Sequence, residues 1–132
     1  MSILMVDDHS DNLVLVKKLL EKAGFQGLQT AASAQEAFAF LAVSDRKLSP
    51  VDLVLMDIMM PEIDGIEACR QLKELEEIKD IPIIMMTALT DVQSLEAAFS
   101  AGAVDYVTKP IKKALLLEAV SKHACNGEKV KG

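Results

Sequence analysis

The 132-residue chain has no tryptophan, and aromatic residues make up only 4% of it. Its core must therefore be aliphatic, assembled from Leu, Ile, Val, Ala and Met. The two cysteines, Cys69 and Cys125, lie far apart and neither belongs to a CxxC pair. That excludes a disulfide framework or a cysteine metal motif, and it fits reduced thiols in a cytoplasmic protein. Positive charge is in deficit, with a formal net charge of −6. Surfaces that hold nucleic acid or anionic lipid are normally basic, so neither is expected as a direct partner. No apolar run approaches the ~20 residues of a membrane-spanning helix. The apolar start, Met1 to Val6, has no basic n-region and runs straight into Asp7 and Asp8, unlike a signal peptide.

What is abundant is aliphatic: 51% of residues are hydrophobic, far above what a disordered chain carries. They fall into short continuous runs alternating with longer amphipathic stretches. Ile3–Val6, Leu53–Met56 and Pro82–Met86 read as strands buried on both faces, with a weaker candidate at Gly27–Ala31 and a short strand at Val104–Val107. Between them the spacing predicts helices. The first runs from Asp11, read as its cap, to Lys22 and is closed by Gly24. The second opens with a capping box of Ser33 and Glu36. The third buries Ile66, Cys69 and Leu72, and the fourth, capped by Asp91, buries Leu95, Ala98 and Phe99. The fifth runs from about Lys112 to His123, where His123 suits the negative helix end. Leu115, Leu116 and Leu117 span roughly 200° of helix surface, so one must face solvent. Ser44–Pro50 and Pro61–Gly65 read as loops, and Lys73–Asp80 as a solvated helix end and loop. The expected division is a domain over residues 1–124 and a polar tail over 125–132. Five strands alternating with five helices imply an α/β fold, a parallel sheet covered on both faces.

Ligands of such sheets bind beyond the carboxyl ends of the strands. Asp7 and Asp8 end the first, Asp57 the third and Thr87 the fourth, while Lys109 follows the fifth. From Asp8 these positions are 49, 30 and 22 residues apart, about one or two helix–strand units each. Three carboxylates, a hydroxyl and an amine should therefore converge. Like charges ~4 Å apart cost about 4 kcal/mol per pair at an effective dielectric near 20, so a bound cation is called for. Oxygen ligands with room for water suit Mg²⁺, with Mn²⁺ as a substitute. A hard cation, an ammonium and a hydroxyl together suit a phosphoryl group, with one carboxylate as nucleophile.

Asp7-Asp8, Asp57 within Leu-Met-Asp-Ile-Met-Met-Pro-Glu-Ile-Asp-Gly, Thr87-Ala88 and Lys109-Pro110 together resemble the receiver domain of two-component response regulators, over roughly residues 2 to 124. The resemblance implies a flavodoxin-like doubly wound sheet of strand order 2-1-3-4-5. It implies Asp57 as phosphoacceptor. Asp8, Asp57 and the backbone carbonyl of Met59 would hold Mg²⁺, with Asp7 in support. Lys109, before a cis bond to Pro110, would meet the phosphoryl group, and Thr87 would hydrogen-bond it. Tyr106 would be the switching aromatic. A histidine kinase or phosphotransfer protein would be the donor. An effector domain or protein would be the output partner, and a homodimer could form through helix 4, strand 5 and helix 5.

The positions two after the acceptor and two after the threonine are Met59 and Leu89. Neither can orient a water against a phospho-aspartate, and Met59 and Met60 are expected to shield the site. Met59 also stands where an aspartyl-nucleophile Mg²⁺-dependent phosphatase would carry its acid/base, which argues against that enzyme. A third reading, an interaction module that is never phosphorylated, leaves the complete polar set unused. His9, beside the acidic pair, invites a metal-ligand reading but reads more simply as a loop residue at the site rim. The acidic strand ends disfavour a flavin site, which would be rich in Gly, Ser and Thr.

Overall fold

The computed structural model describes residues 2–43, 51–59, 64–74, 80–88 and 92–124. Strands and helices alternate along the chain: β1 (Ile3–Val6), α1 (Ser10–Lys22), β2 (Leu28–Ala31), α2 (Ala34–Val43), β3 (Leu53–Asp57), α3 (Gly65–Lys73), β4 (Ile83–Thr87), α4 (Val92–Ser100), β5 (Asp105–Thr108) and α5 (Lys113–Ala124). The strands form one parallel sheet in the order β2-β1-β3-β4-β5. No helix among the described residues is long and apolar enough to cross a membrane.

Strand alternation divides the core in two. Leu4, Val6, Val54, Met56, Ile83 and Met85 pack with Ala34, Ala37 and Leu41 of α2, Ala68, Cys69 and Leu72 of α3 and Ala98 of α4. Ile3, Met5, Leu53, Leu55, Ile84, Met86 and Val107 pack with Val16 and Leu20 of α1 and Leu116, Ala119 and Val120 of α5. Burial on both faces explains why the central strands are apolar without interruption. Small alanines bring the helices onto the sheet where bulky aromatics are scarce.

The helix ends follow local chemistry. Gly24, at φ +98°, closes α1: its N–H donates to Glu21 O and that of Phe25 to Leu20 O, a Schellman ending. Ser33 Oγ accepts from Glu36 N–H at 3.1 Å. Glu36 in return accepts from Ala32 N–H at 2.9 Å, one residue further back than the capping box predicts. Two expectations need correction. Asp11 does not cap α1. His9 holds that position without a side-chain bond, and Asp11 sits in the first turn, where its charge favours the dipole. Phe99 is 44% exposed rather than buried with Ala98, and its ring lies edge-on to Tyr106, centroids 6.2 Å apart. The expected loop at Ser44–Pro50, the Asp91 cap and the 125–132 tail lie outside the described residues.

Candidate functional site

Register builds the site. Val6 pairs with Met56, so the next residues, Asp7 and Asp57, leave the sheet side by side. Asp57, the last residue of β3, shares the parity of Leu55, and Asp7, just past β1, continues that of Met5, the α1/α5 side of the sheet. Asp7 is fully buried and Asp57 is 2% exposed. Lys109 Nζ reaches both, 2.9 Å from Asp57 Oδ1 and 3.2 Å from Asp7 Oδ2. Its backbone is fixed as well: Lys109 N–H donates to Thr87 O at 2.8 Å, and the Lys109–Pro110 bond is cis, as the resemblance implies.

Asp8 and His9 complete the mouth. His9 Nδ1 lies 3.1 Å from Asp8 Oδ1 and 3.4 Å from Asp7 Oδ1. Asp7 Oδ1 also accepts from His9 N–H at 2.9 Å, which folds the loop back on the carboxylate. One ligand atom each from Asp7, Asp8, His9 and Asp57 lies within 4.8 Å of every other. Three carboxylates thus face one ammonium, leaving two net negative charges. Burial pushes the Asp57 carboxyl above its ordinary value. Asp7's charge adds to this, while Lys109 and the Met59 N–H pull the other way. Burial alone would pull Lys109 down, but Asp57 and Asp7 together hold it above the ordinary lysine value. The residues fit a small divalent cation: hard oxygen donors at ligand spacing, with a charge excess equal to its own.

Thr87 lies on β4, next to the acceptor strand in the sheet, and Tyr106 on β5, one strand further out. Thr87 is buried at the end of β4 on the parity of Ile83 and Met85. Tyr106 pairs in register with Met85 and packs half-buried against the same side. Met59 is 61% exposed. Met60 and Leu89 lie outside the described residues. His9, expected at the rim of the site, is 66% exposed there with its Nδ1 turned toward the carboxylates. Asp64, within a stretch read as loop, caps α3 by accepting from Glu67 N–H at 2.8 Å. Gly65 is the close approach that seats this helix. Its N–H donates to Ile58 O at 2.7 Å, and a Cβ there would strike Asp57 O and stand 2.8 Å from Ile58 Cα. His123 bonds Asp105 across α5 and β5 at 3.1 Å, a tie the helix-end reading did not anticipate.

The chain matches the family described as the response regulator receiver domain over residues 3–121. It is 36% identical to the chemotaxis protein CheY of Bacillus subtilis, covering 91% of this chain and 94% of that one. It is also 36% identical to the transcriptional regulatory protein YvrH of the same organism, covering 92% of this chain but 48% of that protein. A receiver domain of a signal transduction histidine kinase from Syntrophus aciditrophicus superposes with a TM-score of 0.83 at 32% identity, covering 99% of this chain and 94% of that one. A response regulator from Chloroflexus aurantiacus gives a TM-score of 0.83 at 30% identity, covering 94% and 97%. The chain spans half or less of several relatives it matches, including 48% of YvrH and 12% of the histidine kinase BarA of Escherichia coli. Matching this family over residues 3–121 and 36% identical to a relative it covers almost end to end, the chain belongs to the response regulator receiver domains.

Proposed function

We propose that this receiver domain is a phosphorylation switch in which Asp57 accepts a phosphoryl group from a phosphohistidine of a histidine kinase or phosphotransfer protein. The observation that carries this reading is the buried Asp57 carboxylate, held by Lys109 and flanked by two more carboxylates at cation-ligand spacing. In the transfer an Asp57 oxygen attacks phosphorus, the P–N bond breaks, and the donor imidazole leaves with the electron pair. Lys109 orients the acceptor and neutralises charge on the incoming group. Asp8, Asp57 and the Met59 carbonyl would hold Mg²⁺, or Mn²⁺ in its place, with Asp7 in support. When bound, the cation stabilises charge on the phosphoryl oxygens.

The domain supplies these groups itself, so it acts on its own carboxylate and turns over no separate substrate. The new dianion draws Thr87 and Lys109, and Tyr106 repacks. That biases two pre-existing arrangements of the surface formed by α4, β5 and α5. Phe99, Val104 and Leu115 are exposed there, which suits an effector domain or protein, or a second copy. Intact-mass analysis with acetyl phosphate and Mg²⁺ tests the reading. One added phosphoryl group, absent in Asp57→Asn, is the expected result; no adduct from a small donor or a cognate kinase overturns it.

A further inference from the structure

His9 takes no part in the phosphoryl chemistry above, yet its ring nitrogen faces the same space as the carboxylates. Donors bonded to one octahedral ion at ~2.1 Å stand ~3.0 Å apart as neighbours and ~4.2 Å apart as opposites. His9 Nδ1 is 3.1 Å from Asp8 Oδ1 and 3.4 Å from Asp7 Oδ1, in the range of neighbours. The four donors lie within 4.8 Å of one another, slightly wider than the ~4.2 Å of opposite ligands, so binding draws them together by about half an ångström. The His9 backbone is anchored through its N–H to Asp7, while its side chain is 66% exposed and turns without disturbing the core.

We propose that His9 Nδ1 is a nitrogen ligand at this site, so that borderline divalent ions such as Ni²⁺, Zn²⁺ and Cu²⁺ bind through a bond Mg²⁺ does not use. The inference rests on the cation reading of the acidic cluster. Mg²⁺ keeps oxygen ligands and water, whereas imidazole suits Zn, Cu and Ni, whose intrinsic affinities already exceed those of hard ions. Such an ion takes the oxygens of Asp8 and Asp57 along with His9. It therefore competes with Mg²⁺ and ties up the acceptor carboxylate, making phosphorylation of Asp57 sensitive to transition-metal supply.

Calorimetric titration of the full chain and of His9→Ala, with Mg²⁺ and Ni²⁺ separately, tests this without any activity readout. Ni²⁺ affinity should fall about tenfold or more in His9→Ala, the least that even loss of an outer partner costs a metal site, while Mg²⁺ affinity stays unchanged. Pulsed EPR of the Cu²⁺-loaded chain should show histidine nitrogen coupling that disappears in the variant. Equal Ni²⁺ affinity in both proteins, with Mg²⁺ binding intact, overturns the role of His9 alone. Failure of the unmutated chain to bind either ion overturns the cation reading and this inference with it.

Discussion

Lys109 Nζ and Asp57 Oδ1 are 2.9 Å apart, and the same ammonium lies 3.2 Å from Asp7. One cation thus serves two buried carboxylates. Removing it leaves both without compensation, which for a buried pair costs about 3–5 kcal/mol. The Lys109 side chain is 18% exposed, which favours the lower end, about 3 kcal/mol. Urea unfolding of Lys109→Ala should show this loss. In an Asp57→Asn background the loss should shrink, because one of the stranded charges is gone. An equal loss in both backgrounds would mean that the lysine acts through packing of its stem.

The two net negative charges left at the mouth should make the folded state bind a divalent cation better than the unfolded chain does. Mg²⁺ should raise the unfolding free energy by about 2.7 kcal/mol at a hundredfold excess over its Kd. Asp8→Asn should remove most of that gain, since Asp8 is a partly exposed member of the donor set and its loss disturbs little packing. Thermal unfolding with and without Mg²⁺ checks both statements. The same shift in Asp8→Asn as in the unmutated chain would place the ion elsewhere.

The parts of this site legible in the sequence are those set by strand ends. An apolar run buried on both faces stops where a polar side chain appears, so Asp7, Asp57 and Thr87 mark the carboxyl edge without any tertiary information. The leucine triplet was legible for a similar reason: Leu116 is fully buried and Leu115 is 46% exposed, as helical spacing demands. Side-chain direction beyond a strand is a different matter. That Lys109 bridges two carboxylates depends on where the Pro110 loop sets its backbone. That His9 faces inward depends on Asp7 catching its N–H. Asp64 was missed because a cap is recognisable only once the first helical residue is known, and Gly65 had been read as turn. The β5 limits shifted by one residue because Val104 is 40% exposed while Asp105 bonds the Tyr106 N–H.

Gly65 has a role that composition cannot reveal. The start of α3 lies so close to the end of β3 that a methyl group would strike the Asp57 carbonyl. Gly65→Ala should destabilise the domain by about 1–3 kcal/mol, the usual cost of overpacking. It should also lower phosphoryl acceptance by displacing the acceptor backbone. Gly24→Ala is the contrasting variant: nothing lies within 4 Å of its Cβ position, so it should cost stability through its positive φ and leave acceptance unchanged. Equal acceptance in the Gly65 and Gly24 variants would refute the steric account.

Met59 is 61% exposed and cannot activate a water. With Leu89 also apolar, attack on the phospho-aspartate should proceed without side-chain help, giving a slow loss of the phosphoryl group. Replacing Met59→Asn together with Leu89→Glu supplies two polar groups able to orient water, and general-base assistance is worth about 10²-fold or more when well placed. A phosphoryl half-life shortened in the double variant, followed by intact mass, is the expected outcome. An unchanged half-life would show that access, not assistance, sets the lifetime.

Cys69 offers a pH test independent of the site. Its thiol is fully buried on α3, Sγ donates to Ala101 O at 3.5 Å, and burial pushes its pKa up to about 11. The unfolded thiol ionises near its ordinary value of 9.0. Below that value both states hold the proton and stability is indifferent to it. Between about 9 and 11 the unfolded chain releases the proton first, so ionisation favours unfolding and stability falls as pH rises. Two pH units correspond to a loss of about 2–3 kcal/mol at most. Lys73, whose pKa burial lowers, works the opposite way near its own range. The thiol contribution is therefore read as the difference between the unmutated chain and Cys69→Ala, both followed by urea unfolding from pH 8 to 11. That difference should narrow and then reverse as pH rises. A constant offset across the range would show that the Cys69 thiol is not protected from ionisation by the fold.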